Sequence, residues 1–153
     1  MDVNTMQQAE QFFHERIPLT RTMGVRVVSY DERGLTLEAP VALNYNHLQT
    51  AFGGSINAIA TLAGYGLLWL ELRDTATHVV VAESTIRFLR PIRQTIRATC
   101  ASPPRHELDS LRETLRAKGK ARIKLAVVVE ENGAPAAQFN GTFVAVTDRA
   151  PAL

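Results

Sequence analysis

The sequence predicts an α+β fold in which an antiparallel sheet curls around one long helix. Three observations point there. Between His47 and Glu71 there is no charged side chain, and after Phe52-Gly53-Gly54-Ser55 the chain becomes a long apolar run. At about 1.5 Å rise per residue, residues 53–72 make a helix about 30 Å long. A helix apolar all round needs protein wrapped around it. The flanking segments show the two-residue period of strands, and Asn132-Gly133 is a strong hairpin signal. The order is helix, hairpin, long helix, then strands with a short helix among them, which suits a layered α+β architecture.

Composition bounds the rest. With 153 residues, 1–153 is one domain by default and large enough for a real core. At 46% apolar and 21% charged residues, global disorder is excluded as a description. A net charge of +2, with no run of Lys or Arg, argues against nucleic acid as a partner. The single cysteine, Cys100, excludes an intrachain disulfide and fits a reducing compartment. No basic segment followed by an apolar one opens the chain, so no signal peptide is expected and the cytoplasm is the expected location. The central run is long enough to span a bilayer. Asn57, Thr61 and the glycines dilute it, and no cluster of Lys or Arg flanks it, so a buried core helix is expected and no membrane.

The elements follow in order. Thr5 and Gln8 have the spacing of a capping box, and Met6, Ala9, Phe12 and Phe13 form one apolar face of a first helix ending near Arg16, before Pro18. Residues 24–30 and 35–41 read as two strands joined by Asp31-Glu32-Arg33-Gly34. After the central helix, residues 78–89 are rich in β-branched and aromatic side chains and stop at Arg90-Pro91. In residues 94–101, Ile96, Ala98 and Cys100 alternate with polar neighbours, and Pro103-Pro104 closes the strand. Leu108, Leu111 and Leu115 set a helix over 107–118 with Gly119 as its C-cap. Lys120, Arg122 and Lys124 alternate with Ala121, Ile123 and Leu125, giving a strand with one wet face that runs to Glu130. The last strand covers 136–147, and 148–153 is expected to fray. Small residues at Ala58, Ala60, Ala63, Gly64 and Gly66 let a sheet come close to the long helix.

Asn46, Phe52-Gly53-Gly54-Ser55, Ala58 and Ala60-Thr61-Leu62-Ala63-Gly64 together resemble the YiiD carboxy-terminal domain family of thioesterase-like proteins. The strand from Thr85 to Pro91 matches as well, and the likeness covers nearly the whole chain. It implies a hotdog fold, a curved sheet around a central helix. It also implies a homodimer or dimer of dimers, with a thioester site at the interface between two central helices. Stand-alone members of this group resemble malonyl-ACP decarboxylases, which make the acetyl thioester that starts fatty acid synthesis. The implied partner is acyl carrier protein (ACP) or coenzyme A, whose phosphopantetheine arm carries the acyl group, so no separate cofactor is expected.

The residues allow chemistry of that kind. The first N–H groups of a helix lack intrahelical partners and sit at the positive end of its dipole. Gly53 and Gly54 have no Cβ, so a thioester carbonyl can approach them as it would an oxyanion hole. By the resemblance, Asn46 falls where hotdog enzymes place a polar residue facing the thioester, and its carboxamide can donate to an acyl oxygen. Turn duty is the competing role for Asn46 and the expected one for Asn44; His47 is read as a loop residue. Thr61 stands where phenylacetyl-CoA-type relatives carry the acid that activates water, and Phe52 where they carry a histidine. A threonine is no general base near neutral pH, so that hydrolytic mechanism lacks its central group. Loss of carbon dioxide from a malonyl thioester needs only a stabilised enolate, with Thr61 orienting the malonyl group beside a dry pocket around Phe52.

Glu83, in an otherwise apolar strand, is the other candidate carboxylate; facing solvent or pairing with an Arg is its usual role. Glu71 and His78 are expected to be solvated. Ser55 fits the first helical turn beside the substrate better than a nucleophile, because no His or Asp is spaced to activate it. No residue spacing suggests a metal. Arg87 and Arg90, with Arg93, Arg97, Lys118, Lys120, Arg122 and Lys124, can form a basic rim for an acidic carrier protein or for phosphates. Three functions are carried forward. The leading one is malonyl-thioester decarboxylation. The others are hydrolysis of an acyl-ACP or acyl-CoA thioester, and binding of acyl thioesters without turnover.

Overall fold

In the computed structural model, residues 2–73 and 76–148 of the 153 are described. Of the tail expected to fray, residues 149–153 lie outside them. The first helix, α1 (Val3–Arg16), starts ahead of the expected capping box. Asp2 is its N-cap and accepts from the Asn4 N–H at 3.0 Å, while Thr5 is buried inside the first turn. A carboxylate satisfies the free N–H groups and favours the helix dipole, so it outcompetes the threonine. Ile17 ends α1, and Pro18 opens a five-residue helix, α2 (Pro18–Thr22), at a position where proline's missing N–H costs nothing. That helix was not legible in the sequence.

Strands β1 (Arg26–Asp31) and β2 (Gly34–Pro40) meet at a turn in which the Arg33 N–H donates to Asp31 Oδ1 at 2.8 Å. After a 3₁₀ turn at Val41–Leu43 and a loop, α3 runs Gly53–Leu72, the bounds the charge-free run predicted. Then come β3 (Thr77–Phe88), β4 (Thr95–Ala101), α4 (Arg105–Lys118), β5 (Lys120–Glu131) and β6 (Ala134–Thr147). Gly119 caps α4 at φ 72°, and Asn132 (φ 53°) and Gly133 (φ 76°) make the β5–β6 hairpin. The six strands form one antiparallel sheet in the order β1-β2-β4-β5-β6-β3.

The sheet packs its inner face on α3, which touches β2 through β6. Ile96, Ala98, Cys100, Ala121, Ile123 and Leu125 point into that core, whereas Lys120, Arg122 and Lys124 point away, as the alternation predicted. Burial pushes the Cys100 thiol up to about 12, leaving it an inert core side chain. The small residues of α3 are structural. A Cβ on Gly64 would lie 2.5 Å from Phe143 Cζ, and one on Gly66 would lie 2.8 Å from Phe13 Cζ and 2.9 Å from Leu35 Cδ2. α3 is long and apolar enough to cross a membrane, but 61% of its most apolar window is buried inside this fold.

The two sheet edges differ. Along β1, Glu10 Oε2 accepts from the Val27 N–H at 3.1 Å and the His14 ring is 2.7 Å from the Val25 carbonyl, so α1 covers that edge. β3, at the other edge, is 12 residues long, mostly exposed, and carries Val80 and Val81.

Candidate active site

The site candidate lies at the N-terminal half of α3. Asn44 anchors the approach: it is buried, and its Nδ2 donates to the carbonyls of Met23 and Pro40 at 2.9 and 2.8 Å. The 46–51 loop closes on itself. Asn46 Oδ1 accepts from the N–H of Leu48 (2.9 Å) and from the N–H and hydroxyl of Thr50 (3.2 Å each), and its Nδ2 donates to Thr50 Oγ1 at 3.0 Å. The carboxamide expected to face an acyl group thus fastens its own loop; turn chemistry, the competing role, holds it here. Asn44 has no free amide either. The Phe52 N–H then donates to the Asn44 carbonyl at 2.7 Å, delivering the chain to the helix start.

Phe52 is the N-cap of α3 and caps nothing with its side chain. The first backbone bond of the helix is Ile56 N–H to Phe52 O at 3.1 Å. The N–H groups of Gly53, Gly54 and Ser55 are left pointing out of the helix end at the positive pole of its dipole. Gly54 is exposed, and a Cβ there would lie 2.4 Å from the Phe52 ring; one on Gly53 would lie 3.5 Å from Phe88. Two aromatic rings, each more than half exposed (Phe52 56%, Phe88 55%), therefore flank the glycine pair.

From Gly54 a cavity of about 520 Å³ runs along α3, between it, α2 and β3. Ala58, Thr61, Leu62, Met23, Val81 and Phe143 give it an apolar wall, and no carboxylate or imidazole among the described residues lines it. Its titratable group is Tyr65, which burial keeps in the neutral phenol form. The Thr61 hydroxyl donates to the Asn57 carbonyl at 2.8 Å. That corrects the expected role: with its proton engaged, Thr61 offers lone pairs to the cavity and cannot donate to a substrate carboxylate.

Comparison with known proteins decides the family. Residues 6–147 match the model of the family described as "Putative thioesterase (yiiD_Cterm)". The chain belongs to that family. Two solved structures accompany it at family-level identity. A protein of unknown function from Chlorobaculum tepidum TLS is 32% identical over 94% of each chain, with a TM-score of 0.88. A "putative thioesterase" from Shewanella oneidensis is 31% identical over 94% of this chain and 98% of its own, with a TM-score of 0.85. The phenylacetic acid degradation protein PaaI from Thermus thermophilus shares the fold, at 19% identity, a TM-score of 0.62, and coverage of 83% of this chain and 97% of its own. The hotdog architecture expected from the central motif is therefore that of the YiiD C-terminal family, and thioester chemistry is the family's description.

Other expected residues fall away from this site. Glu83 pairs with Thr142, which pairs with Lys124, so all three share the sheet face turned away from α3. A β-bulge between Val81 and Glu83 sets that facing, and no periodicity argument could have located it. Arg87 shares the outer face beside Gln138, next to Phe88, and Arg90 is exposed just beyond the strand. Of the cations expected to form a basic rim, Arg87, Arg97, Lys120, Arg122 and Lys124 share this outer face, and Arg97 is engaged there by Glu38 and by Glu130 (3.5 Å).

Glu71, expected to be solvated, is half-buried instead. It accepts from the Tyr30 hydroxyl at 2.7 Å and from Arg112 Nη2 at 2.9 Å. His78 is exposed and sits 2.8 Å from Asp148. The residue that sequence reasoning passed over is Asn57. It lines the cavity one turn beyond Gly54, and its Oδ1 is buried without a hydrogen-bond partner. An asparagine inside an apolar helix was the signal.

Proposed function

We propose that the protein decarboxylates a malonyl thioester, carried on ACP or coenzyme A, to the acetyl thioester. One observation carries this reading: the cavity that opens at Gly54 holds no carboxylate or imidazole, among the described residues, to activate water. A reaction without an activated water fits such a wall. The thioester oxygen rests on the N–H groups of Gly53 and Gly54, and the bond from C2 to the carboxylate breaks. Its electron pair passes into the enolate, whose charge collects on that oxygen, where the helix end stabilises it. Carbon dioxide leaves and water supplies one proton to C2. Apolar walls favour the neutral product over the anionic carboxylate. Asn46 acts as a positioning residue that holds the loop leading to Phe52, and Ser55 completes the first turn.

The functional unit is a homodimer, or a dimer of such dimers. A long exposed apolar edge strand is a template for pairing with another chain. Val80 and Val81 on β3 also line the cavity, and Phe52 and Phe88 stand exposed beside it, so a second copy on that edge would close the site. Arg87 and Arg90 flank Phe88 in sequence and offer positive charge to phosphates or to an acidic carrier.

Hydrolysis of an acyl thioester is the second reading, and the family description favours it. Incubating the purified protein with malonyl-ACP, and separately with malonyl-CoA, and weighing the products separates the two. Acetyl thioester with carbon dioxide is the expected outcome. Free malonate with a released thiol would replace this reading with hydrolysis, and tight binding without turnover would make the protein a carrier-binding module.

A further inference from the structure

The cavity is much longer than a malonyl group. Gly54, Asn57, Ala58, Thr61, Leu62 and Tyr65 line it from α3, and their spacing makes one stripe along one side of the helix. The cavity is therefore a groove parallel to the helix axis. From Gly54 to Tyr65 it runs about three turns, or about 16 Å. A malonyl thioester whose oxygen lies at the Gly54 N–H reaches only about 4 Å past its carbonyl carbon, because two carbon–carbon bonds and one carbon–oxygen bond follow it. That is less than one turn of the stripe. Most of the groove lies beyond it.

The remainder is suited to hydrocarbon. Leu19 and Met23 wall it from the α2 side and Val81 from β3. The Thr61 hydroxyl donates to the Asn57 carbonyl at 2.8 Å and the Thr20 hydroxyl to the Ile17 carbonyl at 2.9 Å, so both threonine protons are already engaged. Asn57 stands within a turn of the glycines, beside the head of the groove. Ala58 lines the groove and is partly exposed, whereas Ala60 and Ala63 are fully buried, and its small side chain keeps the floor open. Free N–H groups at one end and apolar walls beyond them match a ligand with a carbonyl head and a long tail. We infer that the groove takes the tail of a medium-chain acyl thioester, of about 8–12 carbons, as a second class of ligand for the same site. Each extended carbon advances about 1.3 Å, so about 12 carbons span the distance to Tyr65. Phe13 meets the Tyr65 ring edge-on at 6.2 Å, and that supported ring sets the length limit. This rests on the reading of Gly54 as the thioester end of the site. On the decarboxylation reading such a thioester has no carboxylate to lose, so it competes with the malonyl thioester and is not consumed.

The test uses the intact protein and unreactive amide-linked acyl phosphopantetheines: malonyl, acetyl, butyryl, octanoyl, dodecanoyl and hexadecanoyl. Binding is measured by calorimetry for wild type, Ala58→Phe and Tyr65→Ala, with melting temperature as the check on folding. In wild type, affinity is expected to rise about three- to fourfold per methylene up to dodecanoyl, the value of burying one, and to stop rising at hexadecanoyl. Ala58→Phe blocks the groove near its head, so octanoyl and dodecanoyl should fall to the butyryl affinity while acetyl holds. Tyr65→Ala opens the far end, so the rise should continue to hexadecanoyl. Should either variant fail to fold, the wild-type series decides alone. Affinity that is flat beyond butyryl, with malonyl still bound, would overturn the inference and leave the thioester end standing; a second copy of the chain would then be what fills the groove. A rise that neither folded variant alters would place the tail elsewhere and overturn it too. Failure of every ligand to bind would overturn the reading of Gly54 and this inference with it.

Discussion

The two ends of α3 are built on opposite terms. At its C-terminal end, Glu71 is bound by Tyr30 and by Arg112, which also donates to the Glu71 carbonyl at 3.0 Å. Phe12 stacks on Trp69 with ring centroids 4.5 Å apart, and Phe13 meets Trp69 edge-on at 6.0 Å. Polar groups there have partners and the apolar surface is covered. At its N-terminal end the helix has no side-chain cap, its first N–H groups point outward, the Oδ1 of Asn57 is buried without a partner, and Phe52 is exposed. One end of the same rod supplies stability while the other carries unmet hydrogen-bonding capacity. That division is the usual sign of a site held on a rigid element, where local stability gives way to function.

The largest expected effect comes from closing the open end. Gly54→Val should lower turnover of the malonyl thioester by about 10²- to 10³-fold, the loss typical of removing an oxyanion donor. Its side chain needs the space now held by the Phe52 ring. Because that ring is itself exposed and can swing outward, the melting temperature should hold. A melting temperature that falls along with activity would show that the N-terminal end is packed rather than open.

The next effect falls on the packed end. Gly66→Ala should destabilise by about 1–2 kcal/mol, as overpacking against Phe13 and Leu35 outweighs the better helix propensity of alanine. Neither neighbour has room to move, since both are fully buried. Activity per folded molecule should be unchanged. Denaturant titration checks the first and assay below the transition the second.

Arg112→Ala sharpens the comparison further. It leaves Glu71 half-buried and short of its cation, which costs several kcal/mol for a fully buried pair. Here the Arg112 side chain is 29% exposed and that of Glu71 17%, so solvent screening reduces the expected loss to about 1–2 kcal/mol. Like Gly66→Ala, it should spare catalysis.

How much of this could be read from residues alone follows the same division. The bounds of α3, the strand alternation, Gly119 and Asn132-Gly133 are local signals, and each was legible because periodicity and turn chemistry act over a few residues. Glu71 was not, because its partners Tyr30 and Arg112 are each 41 residues away in sequence. Glu83 was not, because a single bulge chose its face. At the candidate site, the uncapped helix start at Gly53 and Gly54 was legible from their place before an apolar run. The engagement of Asn46 by its own loop and of Thr61 by its own helix was not. Asn57 was visible only as a blemish in an apolar run. What gave it meaning was a cavity wall formed by α2 and β3, which no local pattern encodes.

The smallest effect tests the packed end through pH. Burial first, and then the hydrogen bond to the Glu71 carboxylate and its charge, raise the Tyr30 hydroxyl well above the ordinary tyrosine range. The folded state therefore holds this proton more tightly than the unfolded chain does. Its contribution to stability is complete below the unfolded value near 10 and is lost as pH rises beyond it. Tyr30→Phe removes that linkage. The variant should be less stable than wild type at neutral pH by about 1.5–2 kcal/mol, the low end for a hydrogen bond to a charged acceptor, because Glu71 keeps Arg112. The gap between the two should narrow as pH climbs past 10, since only wild type has a proton there to lose. Denaturation midpoints at pH 7 and pH 10.5 measure the narrowing. A gap of constant width would mean that Tyr30 ionises as freely in the fold as outside it, and that the two ends of α3 are less unlike than their contacts imply.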